Sequence, residues 1–406
     1  MENALKTLAA RSLVLTATSI AATAAHAESS PYYFGGGLGV TQVSNLYRQT
    51  DNVNSDTVAT ATLLAGLDQG LGRGRIFGDA SLQSNRYRRN SGLNNQSYSF
   101  KGGLDWATFE RLSGTVSGSR TRALATYNVG NGVATIFKKN IEDNTTFDTV
   151  VRLGLVTRYS LEAAAGYRNR KFSATEYATL EFTQKRVSVG LFFQPSPVLR
   201  LGLSPRLTNT VYPRYSLLNG LYQRSESRRT DLDLTGRWMP NGISTVDARL
   251  STGRSTHTSG VGRDFSGVTG QLSWTWKPSA RWSLNTSISR DTGLETSVFA
   301  TSIGNLSTDQ NRITTALQVN GSYELTSKIA LMAGASLART DRSDEILAQR
   351  AEGYDRDTLL NLSARYQYSR GIQFSCQITH QARGSSTPLY VYDANSYGCS
   401  GQLIIN

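Results

Sequence analysis

From Leu360 the chain alternates: Leu360, Leu362, Ala364, Tyr366 and Tyr368 share one parity, Asn361, Ser363, Arg365 and Gln367 the other. After Ser369-Arg370-Gly371 the alternation resumes, with Ile372, Phe374, Cys376 and Ile378 set against Gln373, Ser375, Gln377 and Thr379. A two-residue period belongs to a strand with one apolar and one polar face, and the break between the runs is a tight turn. The hairpin unit recurs at a spacing of roughly 43 residues, the length of two membrane-crossing strands with a turn and a loop.

Eight short turns follow from this pattern, near Gln69–Gly74, Ala107–Glu110, Arg158–Tyr159, Gln194–Pro197, Met239–Gly242, Lys277–Ala280, Thr326–Ser327 and Ser369–Arg370. Longer polar segments separate them, among them Leu124–Thr145, Pro213–Ser225, Thr292–Thr308 and Arg342–Asp355. Eight turns join 16 strands, and one more strand stands at each end, about Tyr33–Tyr47 and about Ser396–Asn406. The expected fold is therefore an all-β, antiparallel up-and-down transmembrane barrel of about 18 strands, with 16 as the neighbouring count. An even number puts both termini on the short-turn side, the periplasmic side of an outer-membrane barrel.

A soluble β-sandwich also alternates, but it does not place its short and long connections in strict alternation. Pro195, Pro197, Pro240 and Pro278 fall in the short turns, where no ladder donor is required, and Pro205 inside a strand predicts a bulge. All five tryptophans, Trp106, Trp238, Trp274, Trp276 and Trp282, flank short turns with the apolar parity. A soluble core spreads its tryptophans through the middle. A barrel sets them at the headgroup level as a girdle.

The first residues have another pattern. Lys6 and Arg11 precede the apolar run Leu13–Ala25, and Ala25-His26-Ala27 is a small-x-small cleavage site. Residues 1–27 read as a secretory signal cleaved before Glu28, leaving 28–406 as the barrel. No later stretch approaches the 18 consecutive apolar residues of a membrane helix.

Composition adds three exclusions. The chain of 406 residues carries a formal net charge of +13, which falls to +12 without Lys6, Arg11 and Glu2. The arginines are scattered singly, with no lysine-rich block, so no phosphate-binding patch for nucleic acid is expected. With 3 His and 2 Cys there is little material for a metal cluster, and Gly35-Gly36-Gly37 lacks the strand-to-helix setting of a nucleotide loop. No cofactor and no metal are expected.

With the apolar parity toward lipid, the other parity lines the pore. It carries Lys101, Arg152, Arg168, Arg170, Arg200, Arg206, Arg237, Arg249 and Arg365, against Asp79, Glu162, Asp231, Asp233, Asp247 and Glu324. This wall is water-filled, and its basic excess predicts an anion preference. Asp231 and Asp233 are expected to pair with Arg249. An 18-stranded barrel leaves an aqueous channel unless a loop fills it, and Leu124–Thr145, with Val133-Ala134-Thr135-Ile136-Phe137, either folds into the mouth or extends a hairpin above it.

Cys376 and Cys399 fall on the last two strands with lipid-facing parity. In an oxidising compartment they predict a cross-strand disulfide. His257 and His380 are the histidines left after cleavage. Neither stands in a motif with catalytic geometry, so the expectation is a protein that is not an enzyme; a lipid-processing barrel enzyme with one of them as base is the remote alternative.

The run Gly39-Val40-Thr41-Gln42-Val43-Ser44-Asn45-Leu46-Tyr47-Arg48 resembles the opening strand of outer-membrane barrels encoded with exopolysaccharide biosynthesis genes, the EpsL-like proteins. Tyr397-Gly398-Cys399-Ser400-Gly401-Gln402-Leu403 is similar to the Cys-x-Gly-Gln closing strand of that group. Asn406 departs from the aromatic residue that ends many outer-membrane barrels. The resemblance implies a conduit for a secreted polysaccharide, working among outer-membrane lipids with a periplasmic polysaccharide-export protein and an inner-membrane synthesis complex. A general or anion-preferring diffusion porin for small solutes is the alternative expectation.

Overall fold

The computed structural model describes residues 30–405 apart from 109–110, 130–135, 157, 219–220, 259–263, 293–311 and 347–348. The expected signal segment 1–27, Val133-Ala134-Thr135 and most of the Thr292–Thr308 segment lie outside the described residues.

The alternating segments form 18 strands. They are β1 (Tyr32–Val43), β2 (Asp56–Leu71), β3 (Gly74–Tyr87), β4 (Asn95–Ala107), β5 (Leu112–Leu124) and β6 (Ile141–Val156). There follow β7 (Tyr159–Phe172), β8 (Phe182–Ser196), β9 (Leu199–Leu218), β10 (Leu221–Asn241), β11 (Ser244–His257) and β12 (Phe265–Ser279). The last are β13 (Trp282–Thr292), β14 (Arg312–Glu324), β15 (Ile329–Ile346), β16 (Gln349–Gln367), β17 (Ile372–Ser385) and β18 (Tyr392–Ile405). Each pairs antiparallel with the next, and β1 also pairs with β18, from Phe34 opposite Ile405 to Val43 opposite Ser396. The sheet closes on itself, so no edge strand is left. Among the described residues no helix is long and apolar enough to cross a membrane.

Each predicted short turn falls at a junction on one end of the barrel. In the first of them Gly72 takes φ +58°, a left-handed conformation that a side chain would resist. Two of the expected long loops are instead strand. β9 runs on to Leu218 and β10 starts at Leu221, β15 runs on to Ile346 and β16 starts at Gln349, so the described residues of these polar segments prolong their strands. Polarity marked them as outside the membrane, and their β-ladders nonetheless persist there.

Pro205 does not produce a bulge. Ser188 opposite Arg206 and Leu191 opposite Leu203 share one register, and only the pairs between them are missing, where the proline has no N–H to offer. The opening strand stops at Val43, so Ser44–Arg48 is loop.

The two faces separate by chemistry. Outward apolar residues such as Leu232 (43%) and Leu38 (72%) are exposed, while inward Asp231, Ser251 and Thr269 are buried. A polar inside and an apolar outside invert the arrangement of a soluble protein, and the barrel spans a bilayer. The five tryptophans have the outward parity beside the short turns; Trp274 stacks on Trp276, and Trp282 lies against Tyr323. Cys376 and Cys399 stand directly opposite each other on β17 and β18 and form a disulfide on the outward face.

Candidate functional site

The inward wall carries a chain of ion pairs. Arg206 on β9 reaches Asp233 at 2.8 Å and Asp231 at 3.1 Å, both on β10. Arg229 reaches Asp231 at 2.8 Å and Asp291 on β13 at 3.6 Å, and Asp291 also binds Arg249 on β11 at 2.7 Å. Arg249 thus pairs with Asp291, and Arg206 and Arg229 both bind β10 aspartates. The alternation of β10 makes this possible, since Arg229, Asp231 and Asp233 stand two residues apart on one face.

Smaller groups complete the wall. Arg152 on β6 and Arg200 on β9 share Glu162 on β7. Arg170 binds Glu142 at 3.0 Å and covers the ring of Phe172, and Arg168 lies over Phe182. Arg365 meets Glu324 at 3.2 Å, and Arg237 lies 3.7 Å from Asp247. Lys101 stands opposite Asp79 in the β3–β4 register. Asp79 also accepts a hydrogen bond from the Tyr33 hydroxyl at 2.9 Å, and the Tyr33 ring lies so close over Gly66 that a Cβ there would clash.

The expected basic excess in the lumen is not found. Asp56, Asp105, Glu142, Asp148, Asp291, Asp355 and Asp357 also have inward parity. With them, inward carboxylates come close to balancing inward bases among the described strand residues. Parity alone places these acids on the wall: Asp56, Glu142 and Asp291 sit at strand ends, where the count of strand residues is least certain from sequence, whereas Asp148 and Asp357 stand mid-strand in β6 and β16.

The long-loop end is closed over part of its width. Leu46, Tyr47, Leu93, Ala125, Tyr127, Val129, Ile136 and Tyr177, from four loops, form one buried apolar cluster with Phe172 and Leu180. Tyr47 packs edge-on against Tyr127 and Phe137, at 5.0 and 5.2 Å between ring centres. Burial pushes the Tyr177 hydroxyl up to about 12 and the Tyr127 hydroxyl above its ordinary value.

Polar ties fix this cluster to the wall. Arg48 donates to Gln381 on β17 at 2.7 and 3.1 Å, while its carbonyl accepts from Asn128 Nδ2 at 2.6 Å. Arg383, also on β17, donates to the Asn128 carbonyl at 2.7 Å and to Asp357 at 2.6 Å. Asn45 donates to the carbonyls of Gln49 and Asp393. Lys138 meets Glu176 at 2.7 Å, and this hydrogen bond holds the Glu176 carboxyl below its usual range. The described residues 125–129 and 136–140 thus fold into the mouth. The residues Ser44–Arg48, which the pattern assigns to a strand, form part of the closure.

The His380 ring bonds the Asn395 side chain at 2.9 Å and lies 3.6 Å from Asp393, outside the lumen. Neither group is a nucleophile for acyl transfer. His257 is buried, 3.7 Å from Asp264. Among the described residues no three His, Cys, Asp or Glu side chains are placed to hold a metal ion.

No protein-family model matches the chain, and no curated protein matches it. Among solved structures it is similar to the FrpB iron transporter from Neisseria meningitidis (F3-3 variant), with 12% identity, 88% of this chain and 63% of that chain covered, and a TM-score of 0.47. It is similar to Acinetobacter baumannii OccAB3 at 8% identity, covering 92% of this chain and 99% of that one, with a TM-score of 0.45. Similarity to the siderophore receptor PirA from Pseudomonas aeruginosa is at 10% identity, 92% and 80% coverage, and a TM-score of 0.42. The chain spans less than two thirds of the length of the FrpB structures it matches.

Proposed function

We propose that this protein is an outer-membrane channel through which a secreted exopolysaccharide leaves the cell. The observation that carries the reading is a polar, nearly charge-balanced lumen beneath a mouth that tied loops close over part of its width. Transport needs contacts favourable enough to enter and weak enough to leave. Arginines already paired with carboxylates, interleaved with Ser, Thr and Asn, offer a sliding sugar chain many exchangeable hydrogen bonds and no deep charge trap. The partly closed mouth suits a conduit that widens for its cargo. Its closure is built in part from Asn45, Leu46, Tyr47 and Arg48, within the run that resembles the EpsL-like barrels. With no energy source of its own, the channel relies on a periplasmic export protein and an inner-membrane synthesis complex to supply and drive the polymer.

A diffusion porin for small solutes is the second reading, favoured by the same hydrophilic wall with its solvent-exposed inward charges, such as Asp79 and Arg186. Polysaccharide outside the cell, measured in a deletion strain and its complemented partner, separates the two. Loss of external polymer, restored on complementation, is the expected result. Unchanged polymer with slowed uptake of small solutes overturns the export reading in favour of the porin.

A further inference from the structure

The positive charge of this chain is not where a charge-selective pore would keep it. Inside the barrel, arginines meet carboxylates. On the outward face, Arg86, Arg122, Lys171, Lys185, Arg228 and Arg290 are exposed and have no acidic partner among the described residues. Arg122 and Lys171 both stand opposite Asp143, which binds Arg120, while Arg86, Lys185, Arg228 and Arg290 face away from the lumen with no carboxylate across the ladder from them.

Their height is common. Every one lies toward the long-loop end of its strand. Arg290 is eight residues along β13 from Trp282, and Arg228 is ten from Trp238 on β10. At the usual rise and tilt of barrel strands this is about 21–26 Å, close to the ~25 Å apolar band of outer-membrane barrels. The tryptophans mark one edge of that band and the cations mark the other.

One sector is more crowded. Arg339 on β15 and Arg356 on β16 stand directly opposite each other, and both guanidinium groups lie over the Tyr354 ring, at 5.3 and 5.2 Å. Like charges directly across a ladder are destabilising. Asp341 binds Arg339 at 2.8 Å, which leaves Arg356 facing outward with the aromatic ring alone. In a separate sector, with β11–β14 between, Lys185 and Arg228 flank Asn209, the residue opposite each of them.

We propose that this belt binds the phosphate groups of phosphorylated lipid headgroups in the leaflet that surrounds the long-loop end. Guanidinium groups bind phosphate bidentately, and a ring of them at headgroup level meets anions that a scattered set inside the pore would not. Lipid phosphate also supplies the countercharge that Arg356 lacks beside Arg339. Beneath the belt an outward groove of about 560 Å³, with Arg86 at its rim, is walled by Leu38, Val40, Ala59, Ala61 and Phe374, an apolar seat beside a cation. This inference rests on the outer-membrane placement proposed above.

The test uses the full mature barrel in detergent, offered lipid A carrying two phosphates and the same lipid stripped of both, with retained lipid counted by native mass spectrometry. The wild-type barrel retains the phosphorylated form over the stripped form by a factor on the order of ten. The variant Lys185→Gln/Arg228→Gln/Arg290→Gln/Arg356→Gln, checked for folding by its heat-modifiable gel mobility, loses that preference. Equal retention of both lipids by the wild type overturns the proposal, and so does an unchanged preference in the folded variant. If the variant does not fold, the wild-type comparison alone decides. Membrane fractionation is scored separately: absence from the outer membrane defeats the placement, while the phosphate preference of the purified barrel is still read.

Discussion

Arg383 on the inner wall donates a hydrogen bond to the backbone carbonyl of Asn128 at 2.7 Å, across 255 residues of chain. Around the barrel, β18, β1, β2, β3 and β4 lie between β17 and β5, the strand that leads into the Asn128 segment. The bond is a strut across the mouth. Asn128 is held at φ 50°, a conformation asparagine tolerates better than most residues, and its side chain binds the neighbouring loop at Arg48.

Cutting that strut opens the channel. Arg383→Met paired with Asp357→Leu removes the guanidinium without stranding a buried carboxylate, a loss that alone costs about 3–5 kcal/mol. The double variant is expected to fold and to show several-fold higher conductance in planar bilayers. Conductance equal to wild type means that the tie between Arg383 and Asn128 does not control the opening.

Acid loosens the same closure. The Glu176 carboxyl is held low by Lys138, so its contribution is complete above the ordinary glutamate range and is lost as pH falls through the lowered value. Bilayer recordings at decreasing pH are expected to show more frequent openings below that point. Glu176→Gln removes the acid step and shows the raised opening frequency already at neutral pH.

Ion selectivity reports the charge balance of the wall. A salt gradient across the open wild-type channel is expected to give a reversal potential near zero. Arg206→Gln leaves Asp231 short of one partner and Asp233 without its guanidinium, and it is expected to move the reversal potential toward cation preference. A wild-type channel that strongly favours anions contradicts the balance.

The disulfide is a matter of stability alone. Cys376 and Cys399 are 23 residues apart, and closing a loop of that size in the unfolded chain is worth roughly 3 kcal/mol. Cys376→Ser/Cys399→Ser is expected to lower the temperature at which the barrel loses its folded gel mobility, with conductance unchanged.

The barrel was legible because one face of each strand must meet lipid, which writes a two-residue period into Leu360–Tyr368 and its counterparts. The mouth was not. The alternation of β1 already fails at Gln42–Ser44, but nothing local shows where Ser44–Arg48 goes: its contacts with Gln381, Asn128 and Asp393 are far away in sequence. Lumenal arginines follow from parity, but their partners do not. Arg249 bonds Asp291 two strands away, over the intervening β12, because inward side chains converge across the curved wall. The hairpin ends at 213–225 and 342–355 were misread for a simpler reason: polar composition reports water, and strands continue into water when their partner does.

Cys376 and Cys399 face each other without offset on β17 and β18, one ladder away from the seam where β18 meets β1. A one-residue slip of β18 along β17 would turn every side chain of β18 to the wrong face, and the covalent link forbids it. The last hairpin can therefore be set in its final alignment while still a short free segment, before the chain enters the bilayer. What remains at insertion is one zipper, β18 finding β1 along the glycines at 35, 37 and 39, with half of the alignment problem already solved.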